Sequence, residues 1–140
     1  MGDIDVDGTL TVSASGQTID LSGGGSNDVT GAVTLTGAAV TLADTTATSI
    51  AGITATGALT LTSRGAITQS GAIDADSTTS VTAGANAITL TNAGNDFTGA
   101  VSLSNSGSND VALTDANALD LGTVGVGQNL TVTTGGALTD

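Results

Sequence analysis

The sequence predicts an all-β protein folded as a parallel β-helix (β-solenoid), with about three strands per coil and about six coils. Two observations predict it. The chain is a tandem repeat with a unit of about 70 residues, and apolar and polar residues alternate in short segments along its whole length. Self-similarity at a fixed period is typical of solenoids. Alternation with a period of two is typical of strands that bury one face.

The tandem repeat extends over nearly all of the 140 residues. Residues 2–70 form repeat one and residues 71–140 form repeat two, and we predict a single solenoid segment over residues 1–140. The clearest matches are Gly2–Asp7 with Gly71–Asp76, Asn27–Val33 with Asn95–Val101, and Gly65–Thr68 with Gly136–Thr139. Small insertions separate the matched blocks.

The apolar segments sort into three columns with a mean step of about 23 residues, which predicts three coils in each repeat. Column one holds Ile4/Val6, Val29, Ile50/Ile53, Ile73, Phe97 and Leu119/Leu121. Column two holds Leu10/Val12, Val33/Leu35, Leu59/Leu61, Val81, Val101/Leu103 and Leu130/Val132. Column three holds Ile19/Leu21, Val40/Leu42, Ile67, Ile88/Leu90, Val111/Leu113 and Leu138. Clusters of Gly, Asn, Asp and Ser between them predict turns.

The alternative all-β architecture is an antiparallel sandwich of similar short strands. A sandwich does not require a tandem repeat, and it commonly fills a wide core with aromatic side chains. This chain has a single aromatic residue, Phe97. We therefore favour the solenoid and predict that Phe97 lies in a narrow core.

The composition excludes several classes of function. The net charge is −12, all 13 acidic residues are Asp, and Arg64 is the only basic residue. Binding to nucleic acid needs many Lys or Arg side chains, and binding to anionic membranes does too. We expect Arg64 to be a solvated turn residue near Asp44 or Asp20. No cysteine is present, which excludes disulfides.

No segment of the sequence predicts membrane insertion, because no apolar run reaches the roughly 18 residues of a membrane helix. Residues 1–5 lack the basic start and apolar stretch of a signal peptide. If the parent protein is secreted, we expect its targeting segment outside these residues.

Catalysis is not expected. The chain has no His, Lys, Tyr or Glu, so only Asp could act as a general acid or base. Hydrolysis of a glycoside needs two carboxylates with separated pKa values in one groove, and a repetitive surface offers no unique groove. We predict no enzyme activity and no cofactor other than a possible calcium ion.

Calcium is the one metal that the sequence suggests. Residues 3–8 read D-I-D-V-D-G, similar to the start of a calcium-binding loop, but Ala14 stands where a bidentate Glu is needed. The same acids also fit the outer face of a strand, and the Asn-Asp pairs fit ordinary turns. The candidate ligands are Asp3, Asp5, Asp7, Asp74, Asp76, Asp28, Asp96 and Asp110.

A row of threonine pairs suggests a flat binding surface. Thr-x-Thr or its serine equivalent recurs in column two, and a two-wide threonine ladder on a rigid solenoid is the design of several ice-binding proteins. Threonine is also a common outward residue of strands, where it packs against its neighbour. The ladder residues are Thr9, Thr11, Thr34, Thr36, Thr60, Thr62, Thr131 and Thr133, with serines at Ser80, Ser102 and Ser104.

Three segments resemble filamentous-haemagglutinin-like exoproteins. They are Leu61–Ile73, which contains GAITQSGAI, Ala87–Val101 and Leu130–Thr139. The resemblance covers nearly the whole chain. It implies a right-handed parallel β-helix that serves as the shaft of a bacterial extracellular fibre or adhesin, located outside the cell or on its surface. The implied partners are further copies of the chain or neighbouring repeats; no receptor is indicated.

Overall fold

All strand pairings in the computed structural model, which describes residues 2–140, are parallel. The strands are β1 (Asp5–Val6), β2 (Leu10–Ala14), β3 (Ile19–Leu21), β4 (Asp28–Val29), β5 (Ala32–Gly37), β6 (Val40–Asp44), β7 (Thr48–Ala55), β8 (Leu59–Ser63), β9 (Ile67–Gln69), β10 (Ile73–Ala75), β11 (Thr79–Thr82), β12 (Ile88–Leu90), β13 (Asp96–Phe97), β14 (Val101–Ser104), β15 (Val111–Asp115), β16 (Leu119–Gly125), β17 (Leu130–Thr134) and β18 (Leu138–Thr139). The prediction of an all-β parallel solenoid is confirmed, and the alternative of an antiparallel sandwich is wrong.

The strands stack into two long sheets and one short pair. One sheet has the order β3-β6-β8-β11-β14-β16-β18, and we call it the straight sheet. The other begins with β2-β5-β7 and then divides, so we call it the forked sheet. The first part of β7 pairs with β9, which leads to β12, β15 and β17, whereas its last part pairs with β10, which leads to β13. β1 pairs only with β4.

The coil is shorter than predicted. Six positions of the straight sheet follow one another in register, namely Ile19, Val40, Leu59, Thr79, Val101 and Leu121. Their spacing gives a coil of about 20 residues, at the short end of the range for stacked repeats. The described chain therefore makes about seven turns, one more than expected. A right-handed course of the coil remains a prediction, in line with the usual hand of parallel connections.

Part of each predicted column is wrong, because the repeat does not contain a whole number of coils. Val33 pairs with Ile50 rather than standing in line with Leu59, and Val111 pairs with Leu130 rather than with Leu138. At about 20 residues per coil, a repeat of about 70 residues makes about three and a half coils. Equivalent strands of the two repeats consequently lie on different sides of the solenoid.

The displacement between the repeats is one strand position. β2 belongs to the forked sheet, but its counterpart in repeat two, β11, lies in the straight sheet above β8. β3 belongs to the straight sheet, whereas its counterpart β12 lies in the forked sheet above β9. The backbone accepts either placement because every side of the solenoid offers the same parallel hydrogen-bonding edge.

The core is a narrow column of aliphatic side chains, closed on all sides by the coils. Alternate residues of each strand point inward, for example Val33 and Leu35 of β5, which are fully buried. Phe97 is 1% exposed and stands above Ala75, which confirms its predicted place in the core. The described residues include no helix long and apolar enough to cross a membrane.

Glycines allow successive coils to approach closely at the corners. A Cβ atom on Gly31 would overlap the backbone of Gly8, and one on its counterpart Gly99 would overlap the backbone of Ser77. Gly31 and Gly99 precede Ala32 and Ala100, where the strands β5 and β14 and their alternation of outward and inward side chains begin. The close approach of the coils at these glycines was not predicted from the sequence.

Candidate functional site

The candidate calcium ligands lie in separate pairs along the solenoid. Asp5 of β1 pairs with Asp28 of β4, and their counterparts Asp74 and Asp96 pair between β10 and β13. Among residues 2–140, no group of three or more acidic, His or Cys side chains is placed to hold a metal ion. Each pair supplies two carboxylates from neighbouring coils, and calcium binding remains a prediction.

The remaining candidate acids are exposed and dispersed. Asp3 and Asp7 flank β1, and Asp76 follows β10. Asp110 lies in the loop before β15, where its Oδ1 accepts hydrogen bonds from the backbone N and the side-chain Nδ2 of Asn129, at 3.1 and 2.9 Å. Asp110 therefore ties two adjacent coils together through a loop contact that needs no ion.

Electrostatic repulsion is visible at one of the two acid pairs. The pKa of Asp74 is raised, first by its partial removal from water and then by the negative charges of Asp76 and Asp96. In the other pair, the hydroxyl of Thr46 donates a 2.9 Å hydrogen bond to Oδ1 of Asp28. Asn117 occupies the position of Thr46 in repeat two, so the two pairs have different neighbours.

The threonine ladder is divided among different strand stacks, and the expectation of one continuous column is wrong. Thr11 pairs with Thr34 in the forked sheet, whereas Thr60 and Thr62 pair with Ser80 and Thr82 in the straight sheet. Thr131 and Thr133 return to the forked sheet, beside Ala112 and Thr114 of β15. Thr36 faces Ser13 and Thr54, and Thr9 lies just before β2.

A short two-row ladder remains on the straight sheet. Its rungs are Thr60 with Thr62, Ser80 with Thr82, and Ser102 with Ser104, all in register. The register of β14 against β16 shifts between Val101 and Leu103. A cleft of about 270 Å³ opens there, lined by hydroxyl, glycine and aliphatic groups, namely Ser80, Val81, Ser102, Leu103, Ser104, Thr123 and Gly125. None of these side chains titrates, so the cleft has no group for acid–base chemistry.

Arg64 is exposed, as expected, at the edge of a smaller cleft. Its backbone N donates a hydrogen bond to the carbonyl O of Asp44, and its carbonyl O accepts one from Nδ2 of Asn86. The cleft, of about 140 Å³, is also lined by Gly25, Ala43, Asp44, Thr45 and Thr62. These contacts give Arg64 a place in the stacking of three coils.

Buried asparagines form corners that were predicted as open turns. Oδ1 of Asn27 accepts a hydrogen bond from Ile4 N at 3.0 Å, and Nδ2 donates to Leu21 O at 2.7 Å and Ala43 O at 3.1 Å. Since these three partners belong to three successive coils, Asn27 links the coils from inside. Its recurrence as Asn95 at the same position of repeat two was the signal that could have revealed this role.

Asn95 makes the same kind of link with more partners. Its Oδ1 accepts hydrogen bonds from Ile73 N and Gln69 Nε2, at 3.0 and 2.8 Å. Its Nδ2 donates to Gln69 Oε1, Leu90 O and Thr114 O, at 2.9 to 3.2 Å. A buried amide whose donors and acceptors are all paired stabilises the corner.

Two buried carboxylates, Asp44 and Asp115, are also equivalent between the repeats. Each is 2% exposed and is the last residue of its strand, β6 or β15, where its side chain lies on the inward face. Oδ1 of Asp44 accepts a hydrogen bond from Thr46 N, and Oδ2 accepts one from the hydroxyl of Thr48, both at 3.1 Å. Oδ1 of Asp115 accepts a 3.1 Å hydrogen bond from Phe97 N, so one oxygen of each carboxylate is paired with a backbone N–H group and both side chains serve the fold.

Comparison with known proteins gives one family. A family model described as repeats of unknown function (DUF5649) matches residues 1–36, 37–104 and 108–140. The division of the chain at residue 70 remains a prediction, since a tandem repeat can be divided at any phase. Searches of curated proteins and of solved structures found no match. Because the match covers nearly the whole solenoid, the chain belongs to the DUF5649 family of repeats of unknown function.

Proposed function

We propose that this chain is a structural shaft segment of a bacterial extracellular fibre or adhesin, as its resemblance to filamentous-haemagglutinin-like exoproteins implies. The observation that supports this most is the continuity of the ladders across the repeat junction. β10, β11 and β12 of repeat two pair in register with β7, β8 and β9 of repeat one. Repeats joined this way extend one rod without forming separate domains.

The side chains on the outside suit such a rod. Outward positions carry mainly Thr, Ser, Asn and Asp, whereas the large aliphatic residues other than Leu130 and Leu138 are buried or half-buried. The net charge of −12 keeps neighbouring rods apart in solution. The absence of cysteine leaves the fold independent of the redox state of its surroundings. An extracellular location is part of the proposal because the resemblance to filamentous-haemagglutinin-like exoproteins implies it.

Arrays of two, four and six repeats would test the mechanical part of the proposal. With parallel coils spaced about 4.8 Å apart, each added repeat of about three and a half coils should lengthen the rod by roughly 17 Å. Small-angle X-ray scattering measures that increment. A matched array with a flexible Gly-Ser linker between repeats should bend at the linker. Equal flexibility in both arrays would contradict a continuous shaft.

Antibody labelling of intact bacterial cells would test the location. An antibody raised against this chain should label cells without permeabilisation, whereas an antibody against a cytoplasmic protein should not. Labelling only after permeabilisation would contradict the extracellular part of the proposal. The mechanical part is tested separately by the scattering measurements on the arrays.

The short ladder of the straight sheet supports a second candidate function, binding to a flat repetitive surface such as ice. Three rungs from Thr60 to Ser104 lie in register. Thermal hysteresis of the purified chain would test it. Thr60→Tyr should abolish the hysteresis, and the control Thr131→Tyr, on the forked sheet, should leave it unchanged. No hysteresis in the unaltered chain would refute ice binding.

A further inference from the structure

Each coil of the solenoid has three sides. In the coil of β8, β9 and β10, β8 lies in the straight sheet, whereas β9 and β10 lie in the two branches of the forked sheet. We call these the straight side, the first-branch side (β9, β12, β15 and β17) and the second-branch side (β10 and β13, above the last parts of β5 and β7). The stacked acid pairs of the two repeats lie on different sides.

The acid pair of repeat two, Asp74 with Asp96, lies on the second-branch side. Below it, the same side carries neutral residues of repeat one. Asp74 pairs with Thr54, Thr54 pairs with Thr36, and Thr36 pairs with Ser13. Along this line of five outward residues, the second-branch side is therefore uncharged in repeat one and acidic in repeat two.

The acid pair of repeat one, Asp5 with Asp28, lies below the turn that leads into β7 and hence on the first-branch side. The backbone N of Thr45 donates a hydrogen bond to the carbonyl O of Asn27, and the hydroxyl of Thr46 donates one to Asp28. The strands above continue this side with neutral outward residues in register, namely Ser49, Thr68, Thr89, Ala112 and Thr131. The strands of the first-branch side are thus acidic at the start of repeat one and uncharged in repeat two.

The straight side carries neither pair. Its outward residues from β3 to β14 follow one another in register, and one of them is acidic. They are Asp20, Thr41, Thr60, Ser80 and Ser102. Since the displacement between the repeats is one strand position, the next repeat of an array would place its acid pair on this side.

We propose that the displacement by one strand position keeps neighbouring shafts apart, because it turns the acid pair of each repeat onto the next side of the rod. An array of three repeats then bears an acid pair on every side. The surface concerned is the uncharged Thr and Ser side of the rod, and the partner that it excludes is a second shaft. This inference rests on the proposed shaft function, since it concerns shafts that lie side by side.

The dimensions of the rod show why the turn matters. A side of about five residues is about 17 Å wide, and three repeats of roughly 17 Å each are about 50 Å long. Without the turn, a side that lacks acid pairs would offer about 800 Å² to another shaft over three repeats, which is what each partner buries in a stable interface. With the turn, such a run ends after two repeats, at about 600 Å².

Relocation of one acid pair at constant charge tests the proposal on this chain. The one-sided variant, Asp74→Asn/Asp96→Asn/Thr68→Asp/Thr89→Asp, moves the pair of repeat two to the first-branch side, where the pair of repeat one lies. Thr68 and Thr89 are exposed and are neighbours in register. The matched control, Asp74→Asn/Asp96→Asn/Ser80→Asp/Ser102→Asp, moves the same pair to the straight side, so that the two pairs stay on different sides. Both variants keep the net charge of −12.

Static light scattering measures the second virial coefficient, which is positive when the molecules repel one another. At about 0.15 M salt, we expect the coefficient of the one-sided variant to be about half that of the unaltered chain or lower, and that of the control to equal it. At about 1 M salt, where the Debye length falls to about 3 Å, the difference should disappear. Equal coefficients for the one-sided variant and the control would overturn the proposal, and so would a difference that persists in high salt.

Circular dichroism checks that the variants are folded. If the one-sided variant does not fold, Thr89→Asp/Ala112→Asp replaces Thr68→Asp/Thr89→Asp, because Thr89 and Ala112 are also direct neighbours on the first-branch side, and the same two outcomes would overturn the proposal. The scattering of the repeat arrays, which tests the shaft function, depends on the length and stiffness of the rod. The shaft function and the separation of shafts by charge can therefore fail independently.

Discussion

The two buried carboxylates, Asp44 and Asp115, occupy equivalent corners with unequal surroundings. Both oxygens of Asp44 accept hydrogen bonds, and Thr48 supplies the one to Oδ2. Oδ1 of Asp115 accepts a 3.1 Å hydrogen bond from Phe97 N, but its Oδ2 is buried without a partner. Leu119 stands where repeat one has Thr48.

That difference shows how the repeats diverge. Backbone contacts of the corner are retained, while the side chain that completes the carboxylate has been replaced by an aliphatic one. Burial raises the pKa of Asp115, the hydrogen bond from the backbone N of Phe97 opposes the rise, and the charge of Asp96 adds to it. Repeat two thus gains apolar core at Leu119 and leaves a carboxylate oxygen unpaired.

The largest effects should come from the buried asparagines. Asn95→Ala removes five hydrogen-bonding contacts, in which the two N–H groups of Nδ2 are shared among three acceptors, and leaves backbone groups of three coils unpaired, whereas Asn27→Ala removes three contacts. We expect Asn95→Ala to lower the free energy of unfolding by about 2–4 kcal/mol and Asn27→Ala by less. Urea denaturation measures both. Equal losses would show that the additional partner, Gln69, contributes nothing.

Substitution of the corner glycines, which lie against the backbone of a neighbouring coil, should lower stability equally in the two repeats. Gly31→Ala and Gly99→Ala each place a Cβ against the backbone of the coil below, so each should cost about 1–3 kcal/mol of unfolding free energy. Gly125→Ala is the control, because a Cβ there meets no atom within 4 Å. A large difference between Gly31→Ala and Gly99→Ala in thermal melts would mean that the corners are not equivalent.

Much of the fold could be predicted from alternation and repetition, but the coil length could not. Alternating segments such as Val33–Thr36 identified strands correctly, and the tandem repeat identified the solenoid. The prediction then assumed that a repeat holds whole coils, which made each coil longer than it is. The connection from Val33 to Ile50 is shorter and that from Leu10 to Val33 is longer. Since loops absorb these differences, residue spacing alone did not fix the register.

The buried polar corners were missed for a related reason. Asn27 and Asn95 are turn-forming residues by type, and only the stacking of coils reveals that their side chains face inward. The sequence placed Asp5 and Asp7 on the outer face of one strand, whereas the fold also pairs Asp5 with Asp28 and Asp74 with Asp96 across coils. Pairing of this kind depends on the register between strands of different coils. Because the register could not be derived from residue spacing, these pairs could not be predicted either.

The comparison of Asp44 with Asp115 predicts that an Asp→Asn substitution changes stability differently at the two corners. Asp44→Asn exchanges a hydrogen-bond acceptor for a donor facing the Thr48 hydroxyl and should lower the free energy of unfolding at pH 7 by about 1–2 kcal/mol. Asp115→Asn removes a buried charge whose Oδ2 has no partner and should leave stability unchanged or raise it. Chemical denaturation of both variants measures this. A greater loss for Asp115→Asn would refute the comparison.

Acid pH should stabilise the chain through Asp115. Because its folded pKa is raised above the ordinary value of 3.8, the folded state binds the proton more tightly than the unfolded state. Stability then rises as pH falls from above the folded pKa toward the ordinary value, and it is lost as pH rises through that window. We expect a higher melting temperature near about pH 4 than near about pH 8. Asp115→Asn should reduce the difference; an unchanged pH profile would exclude Asp115 as its source.

The smallest effect should come from the exposed acid pairs. Asp96→Asn relieves repulsion with Asp74 and should stabilise by a few tenths of a kcal/mol. Asp28→Asn should stabilise less, because Asp28 accepts a hydrogen bond from Thr46. Melting curves with and without millimolar calcium would measure both. If calcium binds between Asp74 and Asp96, its stabilising effect should disappear in Asp96→Asn and persist in Asp28→Asn.

An experimental map of this chain, by crystallography or by electron cryo-microscopy, tests the shifted stacking of the two repeats most directly. We expect parallel strands with Leu59 beside Val40 and Thr79, and β11 in the same stack as β3. A map in which β11 stacks with its counterpart β2, as whole coils in each repeat would require, would contradict the displacement of one strand position between the repeats. Antiparallel strands would contradict the solenoid itself.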